Sequence, residues 1–322
     1  GGGGVIVAEE IQELERYGVA KIFSPEDGMS LGLQGMINHM IKACDFPTVR
    51  TLNGTLDAAL QREPAAMGRA LTAIEHRILV DIPVPVSPGG GAVTTAPEPQ
   101  RVAPVIGVTG TGGAGKSTLT DELVRRFLND FDDLEVAVLS VDPSRKSTGG
   151  ALLGDRIRMN AIYGANASRV FMRSFATRQD HLATSQALAD SIAVCRAAGY
   201  HLIVIETAGI GQSDTEVTEL ADVSLYVMTH DFGAPTQLEK IGMLDLADLI
   251  VINKFEKRGS EDALRDVRKQ VQRNRRLFSQ SDEEMPVFPT MASRFNDPVV
   301  SVLFLSLLDL LNERFSFGRK SR

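Results

Sequence analysis

The run Gly110-Thr111-Gly112-Gly113-Ala114-Gly115-Lys116-Ser117 follows the apolar stretch Val105–Val108 and precedes a helically periodic stretch, Leu119–Leu128. A glycine-rich loop between a strand and a helix can curl its backbone N–H groups around phosphate oxygens, with the positive end of the helix dipole behind them. Gly110, Gly112, Gly113, Ala114, Gly115, Lys116, Ser117 and Thr118 are therefore candidate phosphate-binding residues. Lys116 would reach the β- and γ-phosphates as a catalytic group, and the Ser117 hydroxyl would ligate Mg²⁺. Such a loop needs a buried strand behind it and a helix in front, which commits this part of the chain to an α/β architecture.

The rest of the sequence supports that class. Apolar strand candidates recur at Val105–Val108, Val136–Val141, Val170–Met172, Leu202–Ile205, Ser224–Met228, Leu249–Ile252 and Val287–Phe288, with helical stretches such as Leu119–Leu128, His181–Ala198 and Glu261–Leu277 between them. Near-continuous Val/Ile/Leu strands imply a sheet buried on both faces, hence mostly parallel with helices on both sides. A final helix, Val299–Leu311, covers one face, and at 13 residues it is too short to span a bilayer, so no membrane partner is expected.

Composition shifts divide the chain. Residues 105–316 form the phosphate-binding domain, and 51–104 read as a helical connector, restarted at Pro64, followed by a Pro/Gly-rich linker. Residues 1–50 show strand–helix–strand–helix punctuation: Val5–Val7, a helix over Glu9–Tyr17 closed by Gly18, Val19–Phe23, a turn through Asp27-Gly28, and a helix over Leu31–Cys44. That is too little chain to bury a core, and it reads as the tail of another α/β domain.

Thirty-four basic against 41 acidic side chains give a net charge of −7, which argues against a nucleic-acid partner. The eight basic and three acidic residues between Lys257 and Arg276 then read as a solvated helix face. Cys44 and Cys195 are far apart in sequence and fit a reducing compartment, and with no apolar leader at the start a cytoplasmic location is expected.

Two further motifs bear on the nucleotide. The strand Leu202–Ile205 ends in Glu206-Thr207-Ala208-Gly209, which places an acid where phosphate-loop proteins hold Mg²⁺ and a glycine N–H where a γ-phosphate would lie. Val251-Ile252 leads into Asn253-Lys254-Phe255-Glu256, close to the guanine-selecting pattern N-K-x-D. A carboxylate at the last position accepts two hydrogen bonds from guanine, and Glu256 offers it with one methylene more than Asp. Gln212 is a candidate to position the attacking water. Asp142, after Val136–Val141, and Asp155, after the Gly149-Gly150 pair, are metal ligands or ordinary turn formers on the residues alone.

The blocks Asp142-Pro143-Ser144, Gly149-Gly150-Ala151-Leu152-Leu153-Gly154-Asp155-Arg156-Ile157-Arg158-Met159 and Glu206-Thr207-Ala208-Gly209-Ile210-Gly211-Gln212-Ser213 resemble the MeaB/ArgK-type GTPases of the SIMIBI class. The resemblance covers roughly Val105 to Leu311. It implies GTP/GDP binding with Mg²⁺ held by Ser117, Asp142, Asp155 and Glu206, and it places Arg158 on the phosphate side. It also implies a chaperone for an adenosylcobalamin-dependent acyl-CoA mutase. The expected partners are that mutase domain or subunit, an adenosyltransferase and a second copy in a homodimer. The Asn253–Glu256 variant, the linker and the preceding segment are similar to fused mutases of the isobutyryl-CoA type. On that resemblance residues 1–50 are the C-terminal part of a Rossmann-like cobalamin-binding domain, although none of His39, His76, His181, His201 and His230 stands in that domain's Asp-x-His-x-x-Gly motif. Two other readings are a metal-insertion GTPase of the same class and a nucleotide-dependent interaction domain with little turnover.

Overall fold

The computed structural model describes residues 6–46, 49, 55–78, 102–143, 159–177, 181–207, 218–232, 238 and 241–321. They fall into two units, Gly1–Arg50 and Thr51–Arg322.

The first unit is helical. α1 spans Ala8–Tyr17 and α2 spans Pro25–Cys44. The segment expected as the strand Val19–Phe23 has a single bridge, at Phe23, and Val7 is the N-cap of α1 rather than a strand residue. An extended run becomes a strand only where a neighbour takes its hydrogen bonds. The expected turn at Asp27-Gly28 is instead the first turn of α2. Ser24 Oγ accepts from the Asp27 N–H at 3.1 Å while the Asp27 carboxylate accepts from the Ser24 N–H at 2.9 Å. With Pro25 at the first helical position, this is a capping box, and it starts the helix earlier than apolar periodicity alone indicates.

The second unit is built on a seven-stranded sheet, all of whose pairings are parallel. In chain order its elements are α3 (Thr55–Leu60), α4 (Pro64–Glu75), β1 (Val105–Gly110), α5 (Lys116–Asp130), β2 (Val136–Pro143), β3 (Val170–Thr177) and α6 (His181–Ala197). Then come β4 (Leu202–Thr207), β5 (Val223–Met228), α7 (Met243–Leu246), β6 (Leu249–Ile252), α8 (Ser260–Asn274), β7 (Val287–Pro289) and α9 (Pro298–Phe315). The strand order is β3-β2-β4-β1-β5-β6-β7. From β1 the chain runs to one side, returns through β4 beside β1, and continues on the other side, so direction changes at the centre. In open α/β sheets ligands sit at the carboxyl ends of the strands at such a point.

Strand side chains alternate between two cores. Ile106 and Val108 of β1 join Leu119, Leu123, Val124 and Phe127 of α5 and Leu303, Phe304 and Leu307 of α9. Val105 of β1 and Ala137 and Leu139 of β2 face Met67, Ala70 and Leu71 of α4 and Leu188, Ile192 and Cys195 of α6. Helices α3 and α4, expected as a connector, are thus part of the core. Ala59, Ala66, Met67 and Leu71 are fully buried. Beyond β5, α7 and α8 cover Tyr226, Met228, Ile250 and Ile252. The α/β class with a parallel sheet matches the expectation. Among the described residues no helix is long and apolar enough to cross a membrane.

Candidate functional site

The phosphate loop begins at the last residue of β1, Gly110, which lies in register with Val227 of β5. Gly110 has φ 139°, and a Cβ there would stand 1.8 Å from the Val227 carbonyl oxygen, so no other residue fits. The Thr111 N–H then donates to that same oxygen at 3.0 Å, which sets the direction of the loop. The loop closes with the Ala114 N–H donating to Thr111 O at 3.2 Å and with Gly115 in the left-handed region at φ 89° as the N-cap of α5. This N-cap carries no side-chain cap, as at helix N-termini that take an anion instead.

Lys116 is nearly buried, and its Nζ lies inside the loop, donating to Gly110 O and Thr111 O at 3.0 Å each. Ser117, the next residue, turns toward the sheet and donates through Oγ to Glu206 Oε1 at 2.6 Å. Glu206 is 4% exposed near the end of β4, in register with Val108 of β1 and Ser140 of β2. An alcohol and a carboxylate oxygen side by side at a phosphate loop match the hard-oxygen donors that Mg²⁺ takes. Beneath them Thr207 Oγ1 donates to Thr109 Oγ1 at 3.0 Å in the buried interior, tying β4 to β1 where both loops leave the sheet. Thr118 is exposed in the first turn of α5.

Asn253 joins three loops. Its Nδ2 donates to Ala114 O of the phosphate loop at 2.8 Å, and its Oδ1 accepts from Thr290 Oγ1 at 3.1 Å and the Ala292 N–H at 3.0 Å. Lys254 holds φ 59°, unusual for a side chain with a Cβ, and donates to Gly113 O at 2.7 Å. Glu256 is exposed in the turn that follows.

The structure therefore brings together Gly110, Gly113, Ala114, Lys116, Ser117, Glu206, Asn253 and Lys254. Gly112 lies exposed in the same loop. Asp142 is the penultimate residue of β2, in register with Ala176, and its side chain lies outside the described residues. Asp155, Arg158, Gly209 and Gln212 also lie outside them. Thr290 and Ala292, which brace Asn253, belong to none of the sequence motifs. Their position directly after β7 at the carboxyl edge was the available signal.

Residues 95–298 match the family model described as Methylmalonyl Co-A mutase-associated GTPase MeaB. The fused isobutyryl-CoA mutase of Geobacillus kaustophilus is 55% identical over 314 residues, covering 98% of this chain and 29% of that protein. The Escherichia coli GTPase ArgK is 41% identical over 149 residues, covering 46% of this chain and 44% of ArgK. A solved structure of a LAO/AO transport system kinase aligns with a TM-score of 0.54 at 25% identity, over 83% of this chain and 78% of its own. The chain spans less than a third of the length of the fused relative it matches. With a family model matching residues 95–298, a span that holds the phosphate loop, Glu206 and Asn253, the chain belongs to the Methylmalonyl Co-A mutase-associated GTPase MeaB family.

Proposed function

We propose that this chain hydrolyses GTP in a Mg²⁺-dependent manner and serves as the chaperone module that gates cofactor loading or repair of an adenosylcobalamin-dependent acyl-CoA mutase of the isobutyryl-CoA type. The observation that carries the reading is the Ser117–Glu206 contact at 2.6 Å beside a phosphate loop braced by Asn253. In this reading the Gly113–Ser117 backbone and Lys116 bind the β- and γ-phosphates, while Gly110, Gly112 and Thr118 shape the cradle. Ser117 and Glu206, with Asp142 and Asp155, would hold Mg²⁺, whose charge offsets that developing on the phosphate oxygens. Glu256 selects guanine, Asn253 and Lys254 keep the base loop on the phosphate loop, Gly209 and Arg158 meet the γ-phosphate side, and Gln212 orients water.

The partner assignment rests on the fused relatives' names, and the first unit is assigned to the C-terminal part of a cobalamin-binding domain on the same ground. His39, in that unit, packs edge-on against Phe23 with ring centroids 5.6 Å apart. Adenosylcobalamin is accordingly placed in the parent assembly, and this chain's chemistry is drawn from its nucleotide site alone. An adenosyltransferase and a second copy of the chain complete the proposed partners.

The test is steady-state hydrolysis of GTP and ATP with and without Mg²⁺ and with the mutase partner, using Lys116→Ala as the control. GTP turnover that needs Mg²⁺, falls by about 100-fold or more in Lys116→Ala and responds to the partner is the expected result. Preferential ATP turnover overturns the guanine assignment, and turnover untouched by Lys116→Ala overturns the site.

A further inference from the structure

Glu206 is 4% exposed, and a carboxylate so far from water costs free energy unless hydrogen bonds surround it. Ser117 supplies one from the helix side. What lies on the sheet side is set by register. In-register residues on neighbouring strands project from the same face, about 5 Å apart. Glu206 stands between Val108 of β1, whose side chain has no donor, and Ser140 of β2, whose hydroxyl is one. Ser140 is 1% exposed and shares a face of β2 with Val136 and Val138. Those two belong to the apolar core under α5, as do Leu202 and Val204, which share the face of Glu206 on β4. Both columns turn polar at the same row, Ser140 beside Glu206. The row continues to Ser174 of β3, half-buried on the edge strand. A buried hydroxyl in an apolar column is unfavourable unless it bonds a neighbour, and the neighbour here is a buried carboxylate.

We propose that Ser140 is a positioning residue whose hydroxyl donates to the Glu206 carboxylate from the sheet side, opposite the bond from Ser117. This rests on the nucleotide reading above, in which Glu206 helps to hold Mg²⁺. Held between two hydroxyls, the carboxylate does not swing along the sheet edge and is already ordered before a metal arrives. Ser117 is itself a metal ligand in that reading, so the bond from Ser140 is the one that serves orientation alone. Removing an outer partner of this kind typically changes metal affinity or activity by about 10–100-fold. Ser140 acts through Glu206 and touches neither nucleotide nor metal.

The experiment compares the full chain with Ser140→Ala and Ser140→Cys, first without metal or nucleotide and then in Mg²⁺-dependent turnover. The metal-free readout is a double-mutant cycle of Ser140→Ala with Glu206→Met, which keeps length and removes the acceptor. Chemical denaturation should give a coupling of about tenfold in the unfolding constant, the size of one hydrogen bond to a charged acceptor. In turnover, the Mg²⁺ midpoint of GTP hydrolysis rises about tenfold in both Ser140 variants, while kcat at saturating Mg²⁺ falls by no more than about threefold. GDP affinity in EDTA stays within about twofold, because the phosphate-loop and base-loop contacts are intact. A coupling below about twofold overturns the proposal, as does a Mg²⁺ midpoint that moves by less than about threefold. A loss of metal-free GDP affinity parallel to the midpoint marks general damage to the sheet and overturns it too. Ser140→Ala and Ser174→Ala that destabilise equally, without coupling to Glu206, assign the hydroxyl to the β3 side and overturn it as well. If Ser140→Ala does not fold, Ser140→Cys, close to serine in volume and only a weak donor, decides by the same measurements. An unsubstituted chain without Mg²⁺-dependent GTP turnover overturns the nucleotide reading, and the metal-free coupling then decides whether Ser140 holds Glu206. A chain that turns over GTP with unmoved variants overturns this role alone.

Discussion

Ser117 Oγ lies 2.6 Å from Glu206 Oε1, joining the first turn of the helix after the phosphate loop to the penultimate residue of the strand beside β1. The two residues are 89 positions apart in the chain, yet register alone makes them neighbours, because β4 is hydrogen-bonded to β1 with Glu206 opposite Val108. A hydroxyl donating to a carboxylate is a charge-assisted bond, shorter and stronger than a neutral one. The parallel sheet thus holds the two oxygens in place before any ligand is considered.

That pairing should be measurable without nucleotide. In a double-mutant cycle of Ser117→Ala and Glu206→Gln, chemical denaturation is expected to give a coupling energy of about 1–2 kcal/mol. Each single variant should also lower Mg²⁺-dependent GTP hydrolysis by about 100-fold or more. A coupling below about 0.5 kcal/mol would mean that the contact does not link the two residues energetically.

The phosphate loop's glycines should fail in different ways. At Gly110 an added Cβ would meet backbone, the Val227 carbonyl oxygen at 1.8 Å, and the Thr111 N–H already binds that oxygen. Gly110→Ala should therefore cost more than about 4 kcal/mol and appear as loss of soluble, folded chain. At Gly115 the added Cβ would meet a side chain, Asn253 Nδ2, at 2.6 Å. Gly115→Ala should cost about 1–3 kcal/mol through its left-handed φ and displace Asn253 from Ala114 O. Thermal unfolding and nucleotide titration distinguish the two. A Gly115→Ala chain with unchanged nucleotide affinity would show that the Asn253 brace is dispensable.

The sheet was legible in the sequence because strands buried on both faces leave continuous apolar runs. All seven expected strands are present, and the largest shortfall was β3, expected over Val170–Met172 and observed to Thr177. Arg173 and Ser174 break the apolar run, but in the sheet they pair with Leu139 and Ser140 of β2. The phosphate loop, Glu206 and Asn253 were legible because each lies at the carboxyl end of an apolar strand. The roles of α3 and α4 were not, since periodicity tells which face of a helix is apolar and not what covers it. Asp121 gave no signal, because an acid inside an amphipathic helix looks like surface until Ala161, 40 residues later, is seen donating to it.

The two cysteines should react unequally. Burial pushes the Cys195 thiol up to about 12, whereas Cys44 is exposed. The thiolate is the nucleophile, so at pH 8 Cys195 stays protonated as well as shielded. Iodoacetamide on the folded chain should label Cys44 and spare Cys195 in peptide mass spectra, with both labelled in denaturant. Comparable labelling of both in the folded chain would contradict the burial of α6 against the sheet.

Glu256 provides the sharpest test of base choice. It is exposed in the turn after Lys254, where the Phe255 N–H donates to Thr290 O at 3.1 Å and the Lys257 N–H to Lys254 O at 3.1 Å, so the backbone around it is fixed from both sides. If its carboxylate accepts two hydrogen bonds from guanine, each contributes about 1.5–3 kcal/mol. Glu256→Ala should then weaken GTP by about tenfold or more relative to ATP. Glu256→Asp shortens the reach while restoring the commoner N-K-x-D pattern, and should keep or sharpen the guanine preference. The phosphate contacts of Gly113–Ser117 are untouched in both variants, so Mg²⁺ dependence should persist. A GTP-to-ATP affinity ratio that stays within about threefold in Glu256→Ala, less than one such hydrogen bond supplies, would assign base selection to another residue.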